Sequence, residues 1–373
     1  MENLELSSFG GAFNKKKVLI TGHTGFKGAW LTTWLLHLGA NVIGYSKDIP
    51  TNPSMFETLG LEQKIAHVIG DICDLTSMRK IIVEEKPDYV FHLAAQSIVS
   101  VSYADPIDTI TTNIVGTANL LEALRDLDHR CIAMFITSDK CYDNKEWIWG
   151  YREIEPMGGK DIYSGSKGAA ELIIKSYLAS FFQAGQNDNI RLGVGRAGNV
   201  IGGGDWAKDR IVVDMIKSWA DGKPVEIRSP NAIRPWQHVL ESLSGYLHLA
   251  AELGRRADLH GEPFNFGPKD VENRTVLQLL KDFAQHWGFK DHADAFTIAE
   301  NRLFNEATLL KLNCEKAMHH LNWEANLDYS EAVKFIADWY QKDLNGSVDM
   351  YDLTVQQIHQ YEKLAQAKGL SWV

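Results

Sequence analysis

Tyr163 and Lys167 stand four residues apart in Tyr-Ser-Gly-Ser-Lys, a spacing that puts both side chains on one face of a helix. A phenol with an ordinary pKa of about 10 is a poor base at neutral pH. A cation alongside stabilises the phenolate and lowers that value, which fits the pair to accept a hydroxyl proton during hydride transfer. Just upstream, Ser138-Asp139-Lys140 follows a buried apolar run. Ser138 is expected to hydrogen-bond the alcohol that Tyr163 deprotonates. Asp139 and Lys140 add a second acid/base pair, for which a plain dehydrogenase has no use.

A second chemical signal precedes these. Glycines at 22, 25 and 28 lie in Thr-Gly-His-Thr-Gly-Phe-Lys-Gly, between an apolar run and a helical pattern. In such a turn Gly22 permits the tight bend, Gly25 lets backbone approach a pyrophosphate, and Gly28 allows close helix–strand packing. The helix N-terminus then offers unpaired N–H groups to the anion. A dinucleotide site is expected here, with Thr24 and Phe26 inside the turn. At the end of the second strand Ser46 and Lys47 come before the first acid, Asp48. Lys47 would favour a 2′-phosphate and Asp48 a free ribose; NAD is the preferred reading. Asp71 and Ile72, after the third strand, are expected at the adenine.

The elements that must position these groups alternate. Strand patterns at 17–21, 41–45, 67–70, 89–93, 131–137 and 190–200 are separated by helical patterns, among them 29–38, 75–85, 113–127 and 161–183. That alternation predicts α/β architecture: a doubly wound parallel sheet of Rossmann type with a smaller C-terminal substrate lobe. The dinucleotide domain is expected over 15–199, with 236–268 rejoining it, and a substrate lobe over 200–235 and 269–373. Residues 1–14 read as a loose leader without a secretory h-region.

Composition narrows the partners. With 38 basic and 48 acidic residues the net charge is −10, against a nucleic-acid or anionic-membrane surface. Four scattered cysteines argue against a disulfide scaffold or a thiolate metal site and fit a reducing cytoplasm. His23, His92 and His238 share no ligand spacing, so no metal is expected from them. Ser164 and Ser166 lack a nucleophile elbow.

Taken together, the glycine turn and the Tyr163/Lys167 pair resemble the extended short-chain dehydrogenase/reductases that act on nucleotide sugars. Four further segments, PTNPSMFE (50–57), TSDKCYDNKEWIWG (137–150), GNVIGGGDW (198–206) and IRPWQHV (233–239), make the chain similar to the CDP-glucose 4,6-dehydratases over roughly residues 15–345. The resemblance implies an NAD-dependent hydro-lyase with an internal redox cycle and a CDP-glucose substrate. Asp139 matches the family acid that protonates the departing C6 hydroxyl. Lys140 stands where related dTDP-glucose dehydratases carry a glutamate base, and two roles are open to it: a base when neutral, or a cation stabilising the enolate. The resemblance also places Asn199 and Arg234 on the substrate diphosphate, with Arg210 a further candidate. Gln96 falls where hexose hydroxyls should lie, and Trp147, Trp149, Trp206 and Trp236 are candidates for a flat wall. It implies a homodimer through the helix at 161–183, with a tetramer as a further assembly. Two rivals are weighed: a dTDP-, GDP- or UDP-hexose dehydratase or 4-epimerase, and a non-catalytic redox sensor. Asp139-Lys140 speaks against an epimerase, and the retained Tyr163 and Lys167 speak against a sensor.

Overall fold

The computed structural model describes residues 8–183, 185–269, 274–299 and 309–373. The first seven residues of the expected leader and parts of the expected substrate lobe lie outside that range.

Seven strands form one parallel sheet: β1 (Lys17–Thr21), β2 (Asn41–Ser46), β3 (Ala66–Ile69), β4 (Tyr89–His92), β5 (Cys131–Ile136), β6 (Ile190–Arg196) and β7 (Pro263–Asn265). Their order is β3-β2-β1-β4-β5-β6-β7. A parallel sheet covered on both faces buries nearly every side chain, so its strands read as continuous apolar runs rather than alternating ones. β5 shows this, with all six residues of Cys-Ile-Ala-Met-Phe-Ile buried. Chain order reverses between β1 and β4, and the crevice beyond their carboxyl ends is where ligands of such sheets bind.

Helices α1 (Phe26–His37), α2 (Leu75–Glu85), α3 (Gly116–Arg125) and α4 (Ile162–Phe181) cross between strands. Two of them begin on aspartate caps: Asp74 accepts from the Thr76 and Ser77 amides, and Asp161 from that of Ser164. After β6 come α5 (Ile211–Ala220) and α6 (Val239–Arg255), the latter leading into β7. β7 pairs parallel with β6, Phe264 lying opposite Gly195. Then follow α7 (Val276–His286), α8 (Tyr329–Asn345) and α9 (Met350–Ala367). No helix among the described residues is long and apolar enough to cross a membrane.

One expectation about the chain ends is corrected. Residues 8–14 are not loose: Phe9 and Phe13 are buried, and the Phe9 amide donates to the Trp372 carbonyl. Trp372 stacks on Phe9 and on Tyr361, with Trp34 of α1 edge-on to all three. Aromatic rings from both termini thus find their apolar partner on the outer face of α1, away from the crevice.

That cluster sets a stability prediction. Trp372 is 1% exposed, so Trp372→Ala should cost about 3–5 kcal/mol in urea unfolding. Turnover below the transition should be unaffected. A loss under about 1 kcal/mol would show that the clasp is peripheral.

Candidate active site

The glycine turn behaves as its spacing predicts. Gly22 has a φ of +78°, and a Cβ there would lie 2.6 Å from the Ala94 amide nitrogen. At Gly28 a Cβ would be driven into the Gly22 carbonyl, so the helix can approach the strand only without a side chain. At Gly25, by contrast, the only neighbour is the Gly22 carbonyl at 3.5 Å, which leaves room for a ligand. Gly25 is also the N-cap of α1 and provides no side-chain cap, so the first N–H groups of the helix are left for an anion. These features fit a dinucleotide pyrophosphate.

Around the turn, two expected cofactor contacts are used internally. The Thr24 hydroxyl donates to the Asp48 carbonyl at 2.7 Å, tying the turn to the end of β2. The buried Ser46 hydroxyl lies 3.0 Å from His23 Nδ1, whose Nε2 in turn meets His67 at 2.7 Å. Burial first, and His67 second, hold the His23 imidazole down at about 4, so it is neutral at physiological pH. The ring of Phe26 sits on Gly202, which has no side chain to displace it. Asp71 accepts from the Cys73 amide at 2.9 Å, and Ile72 is buried beside it.

Tyr163 occupies the first turn of α4 and Lys167 the next, both buried at the carboxyl ends of β4 and β5. Lys167 reaches a small cavity lined also by His92, Ala94, Asn113, Thr117 and Thr137. Burial lowers its ammonium to about 8, which Cys141 and Glu171 partly oppose. Burial likewise raises the Tyr163 phenol. The Ser138 hydroxyl and the Arg210 guanidinium oppose that rise, while Asp139 and Asp161 add to it. Here the structure differs from the simple expectation. Tyr163 is held as a phenol because enclosure outweighs the opposing groups, and Arg210 rather than Lys167 is the leading counter-charge.

Ser138, Asp139 and Lys140 form the single turn that follows β5. Ser138 donates to Asp139 Oδ1 at 3.0 Å, and Asn199 Nδ2 approaches Asp139 Oδ2 at 3.4 Å. Asn199 has a φ of +52°, a left-handed conformation that asparagine tolerates better than most residues. Gly198 is required beside it, since a Cβ there would overlap the Asp139 carboxylate. Asp139, Asn199, Pro235, Lys269 and Lys311 then line one crevice. Arg234 immediately precedes Pro235, in a two-residue strand paired with Arg274 and Thr275. The amine of Lys140 has no hydrogen-bond or ion-pair partner among the described residues.

What holds this turn is a buried polar network. Arg196 of β6 makes a bidentate pair with Glu171 of α4, both bonds 2.8 Å, and also donates to the Tyr142 hydroxyl at 2.7 Å. Tyr142 donates to Asn265 of β7, and Thr137 donates to Glu171. Helix, sheet and catalytic turn therefore share one set of bonds.

The Gln96 amide donates to Thr109 at 2.9 Å and its oxygen accepts from the Ile98 amide at 2.6 Å, so the side chain braces the following segment. Among the tryptophans, Trp147 stacks on Tyr151 and Trp149 is 67% exposed, while Trp206 and Trp236 are buried. None of the four forms an open wall. His92 bonds Thr21 and Thr117, and His238 is fully buried.

Three lysines went unread. Lys27 sits within the glycine turn, and its ammonium lies 5.7 Å from the Tyr246 ring centroid. Burial lowers it to about 8, helped by Arg210 and Lys167 and opposed by Asp139 and Asp205. Lys269 and Lys311 reach the crevice from distant parts of the chain. For Lys27 a signal existed, a cation where the turn needs only a spacer; for the other two there was none.

With this geometry in view, comparison with known proteins is informative. The sequence profile of the GDP-mannose 4,6 dehydratase family matches residues 19–336. Fold and site are those of a doubly wound dehydratase or epimerase of nucleotide sugars. The chain belongs to the GDP-mannose 4,6 dehydratase family. It is 45% identical over 348 residues to the CDP-glucose 4,6-dehydratase of Salmonella typhimurium, covering 93% of this chain and 96% of that one. It is 26% identical to the dTDP-glucose 4,6-dehydratase of Haemophilus influenzae, covering 87% and 97%. Among solved structures, Bacillus anthracis dTDP-glucose 4,6-dehydratase in complex with NAD superposes with a TM-score of 0.74 at 20% identity, covering 88% and 97%. Thermotoga maritima UDP-glucose 4-epimerase with UDP-glucose gives 0.76 at 22%, covering 88% and 99%.

The network yields a test. Arg196→Met leaves Glu171 buried and unpaired, and should cost about 3–5 kcal/mol in chemical unfolding. The double variant Arg196→Met/Glu171→Leu should recover much of that loss. Equal stability of the single variant and the parent would contradict a shared scaffold.

Proposed function

We propose that the protein converts CDP-D-glucose to CDP-4-dehydro-6-deoxy-D-glucose and water, with NAD as its resident cofactor. The observation that carries this reading is the convergence of Tyr163, Ser138 and Asp139 at one sheet edge: a proton acceptor, its hydrogen-bond partner and a separate acid. An epimerase has no use for the last. The 45% identity to a relative described as a CDP-glucose 4,6-dehydratase supports the choice of nucleotide. The open backbone at Gly25 supports a bound dinucleotide, and the exposed Asp48 at the end of β2 favours NAD.

NAD, held at the Gly22–Gly28 turn, would supply the hydride chemistry of the cycle. The protein's groups move the protons. Tyr163 Oη, as phenolate, accepts the proton of the C4 hydroxyl while Ser138 holds that oxygen in place. Arg210 and Lys167 are cations that stabilise the phenolate form in which it can do so. Once C4 is a ketone, the C5 hydrogen is acidic. Lys140, whose amine is free of partners among the described residues, takes that proton. Asp139, fixed by Ser138 and Asn199, gives a proton to the departing C6 hydroxyl. Proton loss at C5 and protonated departure at C6 release one water, and Lys140 gives its proton back to C5 as hydride arrives at C6, which completes the 4-dehydro-6-deoxy product. In this reading Arg234, Lys269 and Lys311 neutralise the substrate diphosphate and Asn199 hydrogen-bonds it, which lets an acidic chain hold an anion locally.

The division of labour is proposed along the same lines, with the sheet and its helices holding the dinucleotide and 200–235 with the segments after 268 holding the sugar nucleotide. We further propose a homodimer through α4. Leu172 (54% exposed), Ile107 (69%) and Tyr103 (56%) leave apolar side chains uncovered on α4 and the neighbouring short helices, a pattern that marks interfaces.

Three outcomes test the reading. Offered CDP-, dTDP-, GDP- and UDP-glucose separately, the protein should remove one water from the cytidine compound alone by mass spectrometry; dehydration of another in preference would reassign the substrate. Lys140→Met should slow C5 hydrogen exchange with solvent while sparing C4 oxidation, and normal exchange would eliminate the base role. The pH profile of C4 oxidation should rise with pH as the buried Tyr163 phenol ionises and level off above about 8, where Lys167 loses its proton. In Lys167→Arg that break should move to higher pH; an unmoved break would assign it to another group. For assembly, Leu172→Glu should shift the mass measured by light scattering from dimer to monomer.

A further inference from the structure

On the outer face of α1, away from the crevice, the last residue of that helix meets the C-terminal helix α9. His37 of α1 faces His359 and Glu362 of α9, and one donor atom from each lies within 4.8 Å of the others. His359 and Glu362 are three residues apart on α9 and so share one face. His37 Nε2 is 3.3 Å from Glu362 Oε2. Tetrahedral zinc, with bonds of about 2.0–2.1 Å, sets neighbouring ligand atoms about 3.3 Å apart, so this edge already has the required length. The two imidazole rings lie 6.2 Å apart between centroids at 72° to one another. His359 is exposed, and its ligand atom lies within the same 4.8 Å.

The carboxylate is held in a manner suited to a ligand. Its other oxygen, Oε1, accepts from the indole N–H of Trp34 at 2.9 Å, and Trp34 is fully buried. Such an outer bond fixes the orientation of a ligating carboxylate and leaves Oε2 turned toward the histidines. Two imidazoles and a carboxylate suit zinc or a neighbouring divalent transition ion, and disfavour magnesium or calcium, which take all-oxygen sets. His37 and His359 were not among the histidines that stood out in the sequence, because their proximity depends on how the chain terminus folds back.

We infer that His37, His359 and Glu362 form a divalent transition-metal site, zinc by preference, that fastens the C-terminal helix to the first helix of the sheet domain. The bonds are those of the three side chains, with solvent completing a tetrahedron. Because the ion binds only where α1 and α9 meet, it stabilises the folded state by mass action. It also braces the helix whose opposite end carries the glycine turn. The inference is independent of the substrate and of the catalytic roles proposed above.

The test uses the full chain without an affinity tag, stripped with chelator and then titrated with zinc sulfate in a calorimeter and in a thermal melt. One zinc per chain should bind and the melting temperature should rise. In His359→Ala the affinity should fall at least about tenfold and the rise should vanish. Dehydration of the nucleotide sugar by His359→Ala without zinc should equal that of the stripped parent, since no crevice group is altered. Cobalt(II) gives a second readout: visible absorption of tetrahedral intensity in the parent, lost in His37→Ala. The inference is overturned if zinc leaves the parent's melt unchanged. It is equally overturned if His359→Ala binds as tightly as the parent, for example through the neighbouring pair His319 and His320 elsewhere on the chain.

Discussion

The bidentate pair between Arg196 and Glu171 is the constraint on which the rest of the site depends. Both side chains are almost fully enclosed, at 3% and 6% exposure, where leaving one charge unpaired costs about 3–5 kcal/mol. Their remaining hydrogen-bonding capacity is filled by Tyr142, Thr137 and the Glu153 carbonyl. Full satisfaction makes such a buried network specific: α4 can sit at only one height on β6, and the turn after β5 at only one angle. The positions of Tyr163 and of Asp139 follow from that register. A looser apolar contact would hold the helix nearly as strongly, but would fix its height less sharply.

Around this scaffold the charges are arranged by enclosure more than by sign. The chain carries a net charge of −10, yet Lys27, Lys167 and Arg210 converge on the pocket that also holds Asp139 and Asp205. Desolvation pulls two of these ammonium groups down to about 8 and pushes the Tyr163 phenol up. The two ammonium groups are thereby brought closer to neutral pH, while the phenol is moved away from it and needs the cations beside it to ionise. A bound dinucleotide and a sugar diphosphate, both anionic, would enter this cluster of cations and relieve their mutual repulsion.

Much of this was legible in the sequence, for local reasons. The apolar runs of β1, β4 and β5 announce a buried parallel sheet, and Gly22, Gly25 and Gly28 announce a turn whose glycines prove to have three different steric reasons. The Tyr163/Lys167 spacing announced two groups on successive turns of one helix, because a helix fixes their separation. What stayed hidden depends on distant parts of the chain. Lys269 and Lys311 lie more than 100 residues beyond Tyr163, and no pattern near them marks a site. Gln96 looked like a sugar contact, but Thr109 and Ile98 occupy its amide. Ser46 is likewise occupied by His23. The phenol's raised pKa could not be read from its neighbours in sequence, because enclosure is a property of the assembled fold. The N-terminal phenylalanines resembled a free leader until the C-terminal tryptophan was found stacked on Phe9.

In the proposed reaction, oxidation at C4 and water loss at C6 fall to different side chains, Tyr163 and Asp139. The most direct measurement is a rapid-mixing single turnover of Asp139→Asn loaded with NAD, following the absorbance of reduced nicotinamide after CDP-glucose is added. The account predicts a rise at the parent's rate that then persists, because C4 is oxidised while the C6 hydroxyl cannot leave. A variant whose absorbance never rises, or rises and decays as in the parent, would contradict it.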